Sequence, residues 1–206
     1  MKNILIVDDH SFILDAYENL LRGIDNYKFE NIFKATSVEN AISLINKDIQ
    51  IDIAFFDISM PKHSVYDFED GIDLAAYFKA KHPFAKVVFI TMHMDFFILL
   101  KAIHLLSPEV FISKADIEPE TFASIFNFIN EDEIFYSQEM LNVYKWVKNN
   151  QVKLDKYDFQ ILSLSSKGVK MKELINHLPL SLSAIEKRKS YHKLILADFK
   201  RVTLLK

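Results

Sequence analysis

Along the first 130 residues, short continuous apolar runs alternate with stretches whose apolar positions recur every three or four residues. The runs Asn3–Val7, Phe29–Ala35, Asp52–Phe56, Val87–Thr91 and Val110–Ile112 predict strands. The intervening periodic stretches predict helices over Ser11–Arg22, Val38–Asn46, Gly71–Lys81, Phe96–Leu105 and Pro119–Asn130. Strands apolar throughout, alternating with amphipathic helices, are the pattern of a parallel sheet covered on both faces. The expectation is an α/β domain over residues 1–131, a doubly wound five-stranded parallel sheet with right-handed crossovers.

The pattern then changes. Residues 132–153 are polar and aromatic and end in Asn149-Asn150-Gln151, which predicts a linker. Residues 154–206 read as a small all-α domain. Asp155 can cap a helix running to Lys167, with Gly168 stopping it in a left-handed conformation. Met171–His177 predicts a second helix, broken at Leu178-Pro179-Leu180. Ser181 can cap a third, reaching about Leu196 and leaving a short final helix. Helix, turn and capped helix together predict a helix-turn-helix.

Charge divides the chain at the same place. The formal net charge is −3, but residues 1–154 carry 14 Lys and Arg against 23 Asp and Glu, while residues 155–206 carry 11 against 5. A basic C-terminal module suits a polyanion partner, though solvated lysine explains such a balance as well. There is no cysteine, which excludes a disulfide framework, a thiolate metal site and a cysteine nucleophile, and fits a reducing compartment. No apolar run approaches the 18 residues a membrane helix needs, and the N-terminal run is too short for a signal peptide. A soluble, cytoplasmic protein is expected. The seven histidines show no paired ligand spacing, so no zinc site is expected.

In doubly wound sheets, ligands gather at the carboxyl ends of the strands. There the first strand ends in Asp8-Asp9, the third in Asp57 and the fourth in Thr91, and Lys114 follows the fifth. Three clustered carboxylates repel one another unless a cation joins them, and Mg²⁺ is the natural hard partner. An Asp carboxylate beside Mg²⁺ can attack a phosphoryl group to give an acyl phosphate, with Lys114 and Thr91 meeting the phosphoryl oxygens. A phosphatase that uses an Asp nucleophile needs a second Asp two residues on as acid and base. That position is Ser59, so the site is suited to hold a phosphoryl group and no hydrolase activity is expected.

Four ordered segments carry a family resemblance: Ile4-Leu5-Ile6-Val7-Asp8-Asp9-His10, Phe56-Asp57-Ile58-Ser59-Met60-Pro61, Val88-Phe89-Ile90-Thr91 and Phe111-Ile112-Ser113-Lys114. Over about residues 1–130 the chain resembles the receiver domain of two-component response regulators. The resemblance implies phosphorylation of Asp57 by a sensor histidine kinase. It also implies Mg²⁺ bound by Asp8, Asp9, Asp57 and the main-chain carbonyl of Ser59, and a switch formed by Thr91, Phe111 and Lys114. Two features depart from the family. The loop glycine, here Gly71, lies farther from the acceptor than usual, and the usually small residue after the switch threonine is Met92, which is expected to crowd the site and slow its chemistry.

Residues 154–196 resemble the NarL/LuxR-type helix-turn-helix output domain through Leu154–Leu162, Gly168–Ile175 and Leu180–Glu186. With Ile185 at the buried centre of the third helix, Lys189, His192, Ile195 and Leu196 share or flank its face, so Lys189 and His192 must snorkel or find partners. Ser183, Glu186, Lys187, Ser190 and Tyr191 point away, with Arg188 at the edge. Ser183, Glu186, Lys187, Arg188 and Ser190 are the candidate contacts to double-stranded DNA. The expectation is a transcription regulator that can form a homodimer through the receiver or the output domain, and such a dimer would span two half-sites. The alternative is a receiver whose C-terminal helices bind protein and never touch DNA.

Overall fold

The computed structural model describes residues 2–25, 27–92 and 95–204. The five expected strands form as β1 (Lys2–Val7), β2 (Phe29–Ala35), β3 (Ile53–Phe56), β4 (Lys86–Thr91) and β5 (Val110–Ser113). The helices between them are α1 (Ser11–Arg22), α2 (Val38–Ile45), α3 (Gly71–Lys81) and α4 (Phe96–Leu106), and α5 (Pro119–Asn130) follows β5. Every pairing is parallel and the strand order is β2-β1-β3-β4-β5-β6. The sheet therefore has six strands, not five. The sixth, β6 (Phe135–Tyr136), adds to the free edge of β5. Two residues are too few to show a period, so only the tertiary pairing identifies them.

The chain forms two compact units, Met1–Met94 with Leu105–Met140, and Asp95–His104 with Leu141–Lys206. In the first, alternate strand residues serve opposite faces. Ile4, Ile6, Phe55, Val88, Ile90 and Ile112 join Leu14 and Leu21 of α1 and Phe122, Phe126 and Ile129 of α5 in one core. On the other face Phe56, Phe89 and Phe111 form a file across three strands, with centroids 6.4 and 5.4 Å apart, and Phe78 of α3 lies 5.5 Å from Phe56. Each such ring contributes roughly 1.5–3 kcal/mol by leaving water.

The second unit contains most of α4 and of α6 (Gln138–Asn150), with α7 (Lys156–Ser166) and α8 (Leu182–Leu204). Helix α6 occupies the stretch expected to be a linker. Its buried Val143, Trp146 and Val147 have helical spacing and explain why the segment orders. Trp146 packs edge-on to Phe96 and Phe199, at 5.5 and 5.7 Å, and its indole N–H donates to Asp198. Asp155 caps α7 in a reciprocal capping box with Asp158, and Gly168 has φ 82°, both as expected. The helix expected over Met171–His177 does not form. Only a 3₁₀ turn, Leu174–Asn176, appears there. Leu174 and Leu178 are nonetheless buried there, in one core with Ile161 and Ile185. Conversely, α8 does not stop near Leu196 but runs unbroken to Leu204, so no separate final helix follows among the described residues. No Gly or Pro interrupts it, and Arg201 pairs with Asp198 one turn back.

Candidate functional site

The acid pocket is built by strand register. Val7 pairs with Phe56, and Phe56 with Phe89, so Asp8, Asp57 and Thr91 emerge at one edge of the sheet. Asp8 and Asp57 are 1% and 3% exposed. Two buried carboxylates side by side are costly unless a cation neutralises them. The cation is Lys114, whose Nζ lies 2.6 Å from Asp8 Oδ2 and 2.7 Å from Asp57 Oδ2. Burial acts to lower the Lys114 pKa, but hydrogen bonds and charge attraction from Asp57 and Asp8 outweigh it and hold the ammonium above its ordinary range. Tyr17 is pushed the same way, by burial and by the carboxylates of Asp8 and Asp57. The other Asp57 oxygen accepts the Ser59 main-chain N–H at 3.2 Å.

Asp9 is more open, and His10 Nδ1 lies 2.9 Å from its Oδ1 and 3.2 Å from Asp8 Oδ1. Asp8, Asp9 and His10 thereby form a three-donor group within 4.8 Å. Two of these donors are carboxylates and the third is the His10 ring nitrogen; with the Asp57 carboxylate beyond them, the carboxylates are hard oxygen ligands that fit Mg²⁺. His10 closes the first of the ordered segments, but it was not a candidate ligand on the sequence, and only the folded turn sets its ring beside both acids.

Thr91 and Phe111 are fully buried. Phe111 already packs against Phe89 and, edge-on at 6.1 Å, against Tyr136. Met92, by contrast, is 63% exposed, so its side chain is not packed into the pocket. The loop Lys62–Asp70 is ordered rather than loose. His63 and Phe68 bridge as a small hairpin, Lys62 pairs with Glu69, His63 with Glu39, and Tyr66 stacks on Phe68. Asp70 then caps α3, donating no hydrogen but accepting the N–H groups of Ile72 and Asp73.

In the second unit, Ser183, Glu186, Lys187 and Ser190 are exposed on α8, as the helical geometry predicts. Arg188 is differently placed. Its guanidinium forks onto Asp155 at 2.8 and 2.9 Å and reaches Asp158 at 2.7 Å, so it ties α8 to α7. The inward polar residues have partners: Lys189 donates to Ser165 Oγ, and His192 Nε2 lies 3.0 Å from Asp158 Oδ1.

His192 is 4% exposed, its Nδ1 has no hydrogen-bond partner, and the ring of Phe97 lies 6.1 Å away. Burial lowers its pKa below the ordinary 6.5, and the repulsion of Arg188 and Lys189 adds to this, against the attraction of Asp158. Protonation therefore favours the unfolded chain as pH falls below about 6.5, and the stability His192 contributes as a neutral ring is present above that value and lost beneath it. NMR titration of its ring proton is expected to give a midpoint below 6.5. In His192→Gln, which keeps a donor for Asp158, the acid loss of helical signal should be smaller. A midpoint at or above 6.5 contradicts this.

A comparison with curated protein sequences gave no match. The family profile described as the response regulator receiver domain matches residues 4–124. Among solved structures, the chain is similar to RcsB from Salmonella enterica serovar Typhimurium bound to promoter P1flhDC in the presence of the phosphomimetic BeF3⁻. That match has 21% identity and TM-score 0.66, covering 95% of this chain and 91% of the other. An RcsB–DNA complex matches at 22% identity and TM-score 0.63, covering 95% and 91%. The isolated receiver of the Salmonella protein matches at 23% identity and TM-score 0.57, covering 69% of this chain and 97% of its own.

Proposed function

Because the chain belongs to the response regulator receiver domain family, we propose that it is a two-component response regulator that accepts a phosphoryl group on Asp57 and acts on double-stranded DNA through α8. The observation that carries the first half is Lys114 bridging Asp8 and Asp57 at a sheet edge that Asp9 completes. Asp57 is the carboxylate that the ammonium and the Ser59 N–H both orient. One of its oxygens attacks the phosphorus of a phosphohistidine on a sensor kinase. The O–P bond forms as the P–N bond breaks, and the imidazole leaves with the electron pair and takes up a proton. Lys114 then turns from the carboxylate to a phosphoryl oxygen, with the Thr91 hydroxyl on another. Asp8, Asp9, Asp57 and the Ser59 carbonyl would hold Mg²⁺, which when bound would supply positive charge against the transferring group. Ser59 at the position where a phosphatase needs an acid supports a holding role rather than hydrolysis.

For the output, the exposed Ser183, Glu186, Lys187 and Ser190 on one face of α8, in a basic segment, support major-groove contact. Some of the neighbours support it as analogues: one RcsB structure is a DNA complex, and another holds two RcsB dimers on parallel DNAs. A homodimer reading two half-sites is the corresponding assembly. Among the described residues no helix is long and apolar enough to cross a membrane.

A protein-binding output is the second reading, favoured by one observation: Arg188 is committed to Asp155 and Asp158, which leaves Lys187 as the central cation of the exposed face. Salt titration separates the two. DNA affinity should fall linearly on a log–log scale with salt, and Lys187→Ala should weaken binding and reduce that slope by about one. Absence of any salt-dependent DNA binding, in phosphorylated and unphosphorylated protein alike, selects the protein partner.

A further inference from the structure

Lys114 reaches the acid pocket from a short 3₁₀ turn, Lys114–Asp116, and part of what holds that turn lies beyond the segment matched by the receiver family. Ser137 directly follows β6. Its main-chain N–H donates to the Phe111 carbonyl at 2.9 Å and so extends the parallel ladder. The next donor along β5, the Ser113 N–H, is taken instead by the Ser137 hydroxyl at 3.1 Å. That hydroxyl in turn donates to the Asp116 carboxylate at 2.7 Å. Ser113 and Asp116 bracket Lys114, and Ser113 Oγ accepts the Ala115 N–H between them.

One hydroxyl thus grips both flanks of the residue whose ammonium spans Asp8 and Asp57. Ser137 is 9% exposed, so water competes little for these bonds, and the one to Asp116 is charge-assisted. Its own place is secured by Tyr136, whose hydroxyl donates to the Pro108 carbonyl at 2.7 Å and whose ring stands edge-on to Phe111.

We propose that Ser137 is a positioning residue for phosphoryl transfer: β6 clamps the turn that carries Lys114 and sets where its ammonium stands between Asp8 and Asp57. The proposal rests on the reading that Asp57 accepts the phosphoryl group. A lysine on a loose turn must surrender backbone as well as side-chain freedom to hold that position, whereas on a clamped turn the backbone is already ordered. On this view the functional receiver extends through Ser137, past the end of α5.

The test compares full-length wild type, Ser137→Ala and Ser137→Thr during incubation with acetyl phosphate and Mg²⁺, following intact mass over time. Ser137→Ala, which loses the hydroxyl's bonds to both Ser113 and Asp116, should take up its phosphoryl group about tenfold more slowly. Ser137→Thr, which retains the hydroxyl, should restore the rate, with thermal midpoints of the three proteins close together. Equal rates in wild type and Ser137→Ala overturn the clamp while leaving the phosphorylation reading intact. If wild type itself gains no mass, that reading fails. The clamp is then judged on the ¹H–¹⁵N signal of the Lys114 ammonium, which Ser137→Ala must shift or broaden and which, if unchanged, ends the proposal. Should Ser137→Ala fail to fold, Asp116→Ala removes the charge-assisted one of the two bonds, at an exposed position, and is read in the same way.

Discussion

Asp57→Ala is expected to abolish phosphorylation completely. With acetyl phosphate and Mg²⁺, wild type should gain the mass of one phosphoryl group and the variant none. No neighbouring carboxylate can substitute well. Asp8 is 1% exposed, and its two oxygens already receive Lys114 on one side and the His10 main-chain N–H on the other. Asp9 is open to solvent but is not among the partners of the Lys114 ammonium that would balance the developing charge. The variant also leaves the Lys114 ammonium with Asp8 alone, so the two-carboxylate arrangement that raises its pKa is halved. Phosphorylation of Asp57→Ala at the wild-type rate would falsify the assignment of the acceptor. A gain that persists at a much lower rate would instead place a secondary acceptor at Asp8 or Asp9, separable by the double variant.

Gly71→Ala is expected to produce the largest loss of stability of any single-methyl addition in the first unit. A Cβ at Gly71 would stand 1.9 Å from the main-chain oxygen of Asp57 and 3.0 Å from its carbonyl carbon. Both are backbone atoms of Asp57, so no rotamer change relieves the overlap. The start of α3 is pinned there from two sides, by the Gly71 N–H on the Ile58 carbonyl at 2.9 Å and by the Asp70 cap. Overpacking of a well-filled site typically costs about 1–3 kcal/mol. A backbone overlap of this depth belongs at or above the top of that range, which for a chain of this size corresponds to a fall in thermal midpoint of roughly 6–12 °C. Because the displaced atoms belong to Asp57, the proposed acceptor, the phosphorylation rate of the folded fraction should fall too. A midpoint within a degree or two of wild type, measured by circular dichroism, would show that α3 can shift away from β3 without cost.

The two expectations differ in how far the sequence alone supports them. Asp57 was legible because it combines a local signal, an acid ending an apolar strand, with a topological rule that sends strand ends to one edge. The same holds for Asp8, Asp9, Thr91 and Lys114, and their ordered motifs made the family recognisable. Gly71 was legible as a loop glycine, but its reason is steric and long-range, an approach to Asp57 fourteen positions earlier, which no local pattern encodes. Arg188 shows the opposite difficulty. Helical geometry places it at the edge of the exposed face, yet whether it faces a partner or its own domain depends on Asp155 and Asp158, more than a turn of sequence away on α7.

What the sequence determined by itself was therefore everything that repeats at short range: the five apolar strands, the helices between them, the capping of α7 by Asp155, and the acids at the strand ends. These follow from side-chain periodicity and backbone preference, which act within a few residues. Tertiary structure alone decided the rest. Residues 135–136 became a strand only because the edge of β5 was free to pair with them. Helix α6 ordered because Val143, Trp146 and Val147 found apolar surface, and α8 continued past Leu196 because nothing stopped it and Phe199 had Phe96 and Trp146 to pack against. The position of Lys114 depends on a serine 23 residues later in the chain. Each of these outcomes is a contact between distant segments, and its free energy appears only when the fold has already brought both partners together.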